Sequence, residues 1–166
     1  MSENTRAKKS GIGAEIDRKL EERYDQEEAA GVTNAIMIWL NAVLQGEHDS
    51  IPNSSQKELH RCLKDGVLLC KLINKLLASE GKGKVSFQKK VASPFVAMGN
   101  MESFNKGCLE YQLSKEFLFQ STDLWEGRKG PFLNVVNCIH SLGFHANSKG
   151  FQPTYTGEQT KYLDLE

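Results

Sequence analysis

The chain has 166 residues, 39% hydrophobic and 25% charged, which suits one soluble globular domain with modest extensions. Lys+Arg and Asp+Glu both number 21, so it lacks the cationic excess of a general nucleic-acid or membrane-surface binder. A local patch remains open.

In chain order, residues 1–10 are polar, read as a disordered leader, and contain no apolar core of a secretory signal. Residues 12–24 predict a short amphipathic helix, with Ile12, Ile16, Leu20 and Tyr24 on one narrow stripe. Charge crowds its other faces, so the stripe should lie against the main domain. Ile36, Trp39, Leu40, Val43 and Leu44 fall at i, i+3, i+4, i+7 and i+8, the clearest helical face in the chain. Gly46 then reads as a stop and residues 48–55 as a loop.

Ser55 with Glu58 three residues on is a capping-box signature for a helix carrying Leu59 and Leu63. Asp65-Gly66 interrupts it, read as a helix-entry or kink device and not as a ligand. The run 67–77 is apolar on most sides, as a central helix of a bundle must be. Gly81 and Gly83 break that pattern and open a basic connector, 82–90. Ser93-Pro94 predicts an N-cap with proline in the first turn, and Phe95, Met98, Met101 and Cys108 mark the expected buried side. Residues 114–126 read as one or two short turns. Gly130-Pro131 opens a last helix with Phe132, Val135, Val136, Ile139 and Leu142 inward, closed by Gly143. Beyond residue 145 an irregular polar tail is expected. No alternating run supports a strand, so the fold class is all-α.

Three blocks carry a family resemblance. Leu63-Lys64-Asp65-Gly66-Val67-Leu68-Leu69-Cys70-Lys71-Leu72-Ile73-Asn74-Lys75-Leu76 resembles the central-helix signature of calponin-homology domains, and Trp39 resembles the aromatic of their first major helix. Phe119-Gln120-Ser121-Thr122-Asp123-Leu124-Trp125-Glu126 resembles the segment before their last helix, with Trp125 where phenylalanine is usual. The resemblance covers residues 29–145 and implies a compact helical bundle after a 1–28 leader and before a 146–166 tail. The leader itself, from Gly13-Ala14-Glu15-Ile16 to Arg23-Tyr24-Asp25, looks like the segment preceding the single domain of calponins and transgelins. Those proteins carry short Gly/Ala/Ser-rich repeats after the domain, to which much of calponin's direct actin affinity is attributed. Here Gly150-Phe151-Gln152-Pro153 and Asp164-Leu165-Glu166 follow instead, and no such repeat is seen.

The resemblance implies a core of Trp39, Leu68, Leu69, Leu72, Ile73, Leu76 and Ile139, with Trp125 and Phe119 wedging the short turn. It also implies a cytoplasmic, cytoskeleton-associated monomer without catalytic activity. Filamentous actin is the first partner it suggests, a kinase or other signalling protein the second, and microtubules, bound by some divergent relatives, the third.

Charge adds a local clue. Residues 57–90 hold nine basic side chains against three acids, while carboxylates crowd Glu15–Glu28. Lys82, Lys84, Lys89 and Lys90 form the candidate site for actin or another acidic partner. Three readings stay open for this region: solvated helix faces, a filament-contacting patch, or a site for a phosphoinositide or anionic protein. Cys62, Cys70, Cys108 and Cys138 show no Cys-x-x-Cys spacing and read as core thiols, with neither metal nor cofactor expected. The four histidines lack metal-ligand spacing. Gly81-Lys82-Gly83-Lys84 lacks the spacing and the Ser/Thr of a phosphate loop. Ser121, Asp123 and His140 have no nucleophile-elbow context, so capping is the expected role near residue 121.

Overall fold

A computed structural model describes residues 11–158, and the leader 1–10 and the acidic end 164–166 lie outside the described residues. Among the described residues seven α-helices follow one another: α1 Gly11–Ala29, α2 Val32–Val43, α3 Gln56–Leu63, α4 Val67–Ser79, α5 Pro94–Glu110, α6 Ser121–Glu126 and α7 Lys129–Ser148, with a 3-10 turn at Lys115–Phe117 before α6. Among the described residues there is no strand. The fold is all-α.

Helix α4 is the centre because nearly every face is apolar. Leu68, Leu69, Cys70, Leu72, Ile73, Leu76 and Leu77 are all buried, and α5 packs along it. Each such leucine or isoleucine contributes about 1.5–3 kcal/mol on leaving water. Helix α2 turns Ile36, Trp39, Leu40 and Val43 inward, and α7 closes the bundle with Phe132, Val135, Val136, Ile139 and Leu142. Leu124 is fully buried in α6, and Trp125 is only half-buried, with the Lys64 ammonium 4.9 Å above its ring. The short turn is thus wedged by Leu124 and Phe119, and Trp125 covers the edge.

The helix starts follow their local chemistry. Ser55 Oγ accepts from the Glu58 N–H at 3.3 Å, while the Glu58 carboxylate accepts from Arg61 at 2.6 Å. Ser93 Oγ accepts from Val96 N–H at 3.2 Å, with Pro94 in the first turn. The complete capping box sits at α6, where the Gln120 N–H donates to Asp123 Oδ2 at 2.9 Å.

Four expectations are corrected by packing. Ile12 is 79% exposed and Ile16 is also exposed, since the first turns of α1 meet no apolar partner among the described residues; only Leu20 and Tyr24 reach the bundle. Phe95 is 85% exposed. The inward side of α5 is Ala97, Met101, Phe104 and Cys108, and two residues of helix, about 200°, turn Phe95 away from Ala97. Gly143 does not end α7, which runs to Ser148; its missing side chain instead makes room for the Tyr155 ring, which a Cβ would meet at 2.4 Å.

The tail is the fourth correction. Residues 146–148 are helical, and the segment after α7 is strapped back onto the core. Trp39 Nε1 donates to the Pro153 carbonyl at 3.0 Å, and buried Tyr155 lies edge-on to Trp39, His140 and Phe144. Its hydroxyl is 2.6 Å from His140 Nδ1. Burial holds the His140 pKa below its ordinary value. The unfolded chain therefore binds this proton more readily, so the contribution is complete above about pH 6.5 and is lost as pH falls toward the folded pKa. The melting temperature of the native chain should fall more steeply between about pH 7 and 5 than that of His140→Gln. His48, whose pKa is also depressed by burial, titrates in both proteins and cancels. Equal slopes would show that His140 does not carry the effect.

A candidate cationic cleft

The connector between α4 and α5 has no regular structure, yet it is held in register by two buried amides. Asn74, on α4, donates to the Val85 carbonyl at 3.1 Å and accepts from the Val85 N–H at 2.7 Å. Asn100, on α5, does the same for Gln88, at 3.0 and 2.9 Å, and also donates to the Asp65 carbonyl at 2.9 Å. A side-chain amide that pairs both polar groups of one loop residue leaves neither unpaired in the interior. Gly107 lets the connector and α5 close on α4, since a Cβ there would meet Ile73 at 2.9 Å and Val85 at 3.1 Å.

These clamps fix the residues beside them. Lys84 precedes Val85 and Lys89 follows Gln88, and both line an open cleft of about 590 Å³ with Lys71 and Lys75 of α4 and the half-buried Phe87. Glu47 is the single acid in the wall. Lys75 pairs with the Glu47 carboxylate, and Lys71 Nζ donates to the Glu47 carbonyl at 2.8 Å and lies 3.2 Å from His48 Nδ1. Burial first, then the Lys71 charge, depresses the His48 pKa, which keeps its ring a neutral acceptor. Lys84 and Lys89 form no ion pair among the described residues, so their charges are available to an incoming anion.

The four lysines singled out by sequence do not line one cleft. Lys84 and Lys89 share the cleft. Lys90 is exposed but stands outside it. Lys82 is spent on structure: its Nζ donates to the Glu110 carbonyl at 2.8 Å and lies 3.3 Å from Glu80, which Lys149 also reaches at 2.7 Å. Lys149 first, with Lys82, holds the Glu80 carboxyl below the usual range. Lys71 and Lys75 stand in their place. Their signal was present as two cations one turn apart on an otherwise apolar helix, but only the fold brings the connector over them.

No group of three or more metal-ligating side chains is gathered among the described residues. Asp123 is committed to its capping box and to Asn134, while His140 is committed to Tyr155. Cys70, Cys108 and Cys138 are buried, Cys62 is half-buried, and all four are free thiols. Burial pushes the Cys70 thiol up to about 12, so it stays protonated and unreactive at neutral pH. Among the described residues no helix is long and apolar enough to cross a membrane.

The family model described as the calponin homology (CH) domain matches residues 31–148. Among curated proteins the chain is similar to Rac guanine nucleotide exchange factor B of Dictyostelium discoideum, with 31% identity over 142 residues. That match takes in 83% of this chain but 10% of the relative, so the chain spans about a tenth of that protein's length.

Proposed function

The chain belongs to the calponin homology domain family, and from that premise we propose that it is a binding module of the calponin/transgelin type that docks on actin filaments through the cationic cleft. The observation that supports this reading is the convergence of Lys71, Lys75, Lys84 and Lys89 on one open surface with a single opposing acid. In a chain of zero net charge this is a local field, suited to steering an acidic filament surface into register. The clamped connector lowers the ordering cost of binding, because Asn74 and Asn100 have already fixed its path. Binding, not catalysis, is the activity proposed, in the cytoplasm and beside the cytoskeleton.

A second reading is favoured by one finding, the likeness to a guanine nucleotide exchange factor. On that reading the domain is a signalling adaptor whose cleft takes an acidic segment of a regulatory protein.

Co-sedimentation with actin filaments across a salt series tests the first reading. The native chain should pellet at low salt and progressively less as salt rises, because exposed charges are screened over about 8–10 Å near physiological ionic strength. The double variant Lys84→Glu/Lys89→Glu should stay in the supernatant, while Lys90→Glu should lose much less. Pelleting of the double variant equal to the native chain would sink the cleft as the actin surface. Failure of every form to pellet would leave the adaptor reading.

A further inference from the structure

A second groove shares no lining residue with the cationic cleft. The C-terminal half of α1, the 3-10 turn and the outer face of α7 enclose about 350 Å³. Glu27 forms part of its wall, is only 4% exposed, and among the described residues nothing donates a hydrogen bond to its Oε1. Phe117, 39% exposed, and Phe144 supply aromatic surface, Asn137 and Ser141 sit on the rim, and Glu116 adds a second carboxylate, so that two carboxylates share the wall with one guanidinium, that of Arg23.

A carboxylate buried with an unsatisfied oxygen is costly, because it has lost water without gaining a full set of donors. Burial accordingly raises the Glu27 pKa, and the charge of Arg23, one turn earlier, offsets part of that. The whole surface leans the same way: residues 11–29 carry seven carboxylates against three basic side chains. A donor-bearing cation would satisfy Oε1, and its flanks would meet aromatic faces that attract positive charge. A groove of this size admits a long side chain together with a stretch of main chain, for which the rim amide of Asn137 and hydroxyl of Ser141 are suitable partners.

We propose that this groove is a docking site for a basic segment of a protein partner, which inserts one lysine or arginine side chain against Glu27 between Phe117 and Phe144. The site is independent of the cationic cleft. The two faces together would let one domain join an acidic surface to a basic one.

Panning a random-peptide library against the full chain tests this directly. The selected peptides should share a basic residue at one fixed position. They should bind Glu27→Gln about tenfold more weakly or worse, the loss expected for one charge-assisted hydrogen bond. Glu27→Gln keeps the shape and removes the charge, so circular dichroism should remain native. Ser141→Lys guards against a folding artefact: it sends an ammonium into the groove from its own wall, and should raise the melting temperature while blocking the peptides. Lys84→Glu/Lys89→Glu should leave peptide binding unchanged, which separates this site from the actin reading. The proposal is overturned if no peptide is enriched, if the enriched peptides lack a basic residue, or if their binding survives both Glu27→Gln and Ser141→Lys.

Discussion

Replacing Gly66 with alanine is expected to lower the unfolding free energy by roughly 2–5 kcal/mol, a large part of the stability of a domain of this size. Gly66 is the turn between α3 and α4. Its φ of 77° lies in the left-handed region, where an L side chain costs about 1–2 kcal/mol. It also touches α5: an added Cβ would lie 2.6 Å from Asn100 Cβ, 3.2 Å from the Met101 nitrogen and 3.3 Å from the Ala97 oxygen. Two of these are backbone atoms that cannot swing aside, so α5 must move off α4 or the turn must open. Overpacking of that kind costs about 1–3 kcal/mol more. Movement of α5 would also strain Asn100, whose amide holds both Asp65 and Gln88. Gly31 is the internal control. Its φ is 88°, but nothing lies within 4 Å of the Cβ position, so Gly31→Ala should cost only the backbone term of about 1–2 kcal/mol. Urea unfolding followed by circular dichroism gives both values. Equal losses would show that the approach of α5 to the turn is not limiting.

The second large effect belongs to the strap. Tyr155→Ala should cost about 3–5 kcal/mol, the range for removing a large buried aromatic, and a chain cut after residue 150 should lose at least as much. Tyr155 fills the space over Gly143 and packs edge-on to Trp39 with ring centroids 5.5 Å apart. Its backbone is locked by Asn147, which donates to the Tyr155 carbonyl at 2.8 Å and accepts from its N–H at 2.9 Å. Cutting the strap would also strip the Trp39 indole N–H of the Pro153 carbonyl and leave a buried donor unpaired. The family match stops at residue 148, so a chain trimmed to that match would lack this packing. An unchanged denaturation midpoint after truncation at residue 150 would refute this account of the strap.

The amphipathic helices were legible because their physics is local. The spacing of Ile36, Trp39, Leu40 and Val43 predicts a helix and its buried face, and Val67 to Leu77 predicts a centre, since a helix apolar on most sides is stable only when covered on most sides. Asp65-Gly66 and Ser93-Pro94 likewise mark their turns by backbone chemistry alone. Phe95 faces solvent because helical phase, not hydrophobicity, decides which of several apolar residues faces inward, and the packing of α5 on α4 sets that phase.

Asparagine carries most of what sequence could not reveal. Asn41, Asn74, Asn100 and Asn147 each close a ring with both backbone groups of one loop residue, at Ile51, Val85, Gln88 and Tyr155. Read along the chain they are polar interruptions of apolar helices, and no periodicity says which distant carbonyl they will meet. Those rings decide the path of the basic connector, and so which lysines form a site. By itself the sequence determined the helices, the central role of α4 and the sign of the charge on each segment, because periodicity, turn chemistry and ionisation depend on neighbours in the chain. Only the tertiary structure separated Lys84 and Lys89 from Lys82, buried Glu27 in a groove and folded Tyr155 over Gly143. Those outcomes rest on contacts between residues far apart in sequence, where shape and the pairing of buried polar groups choose among arrangements that composition leaves equivalent.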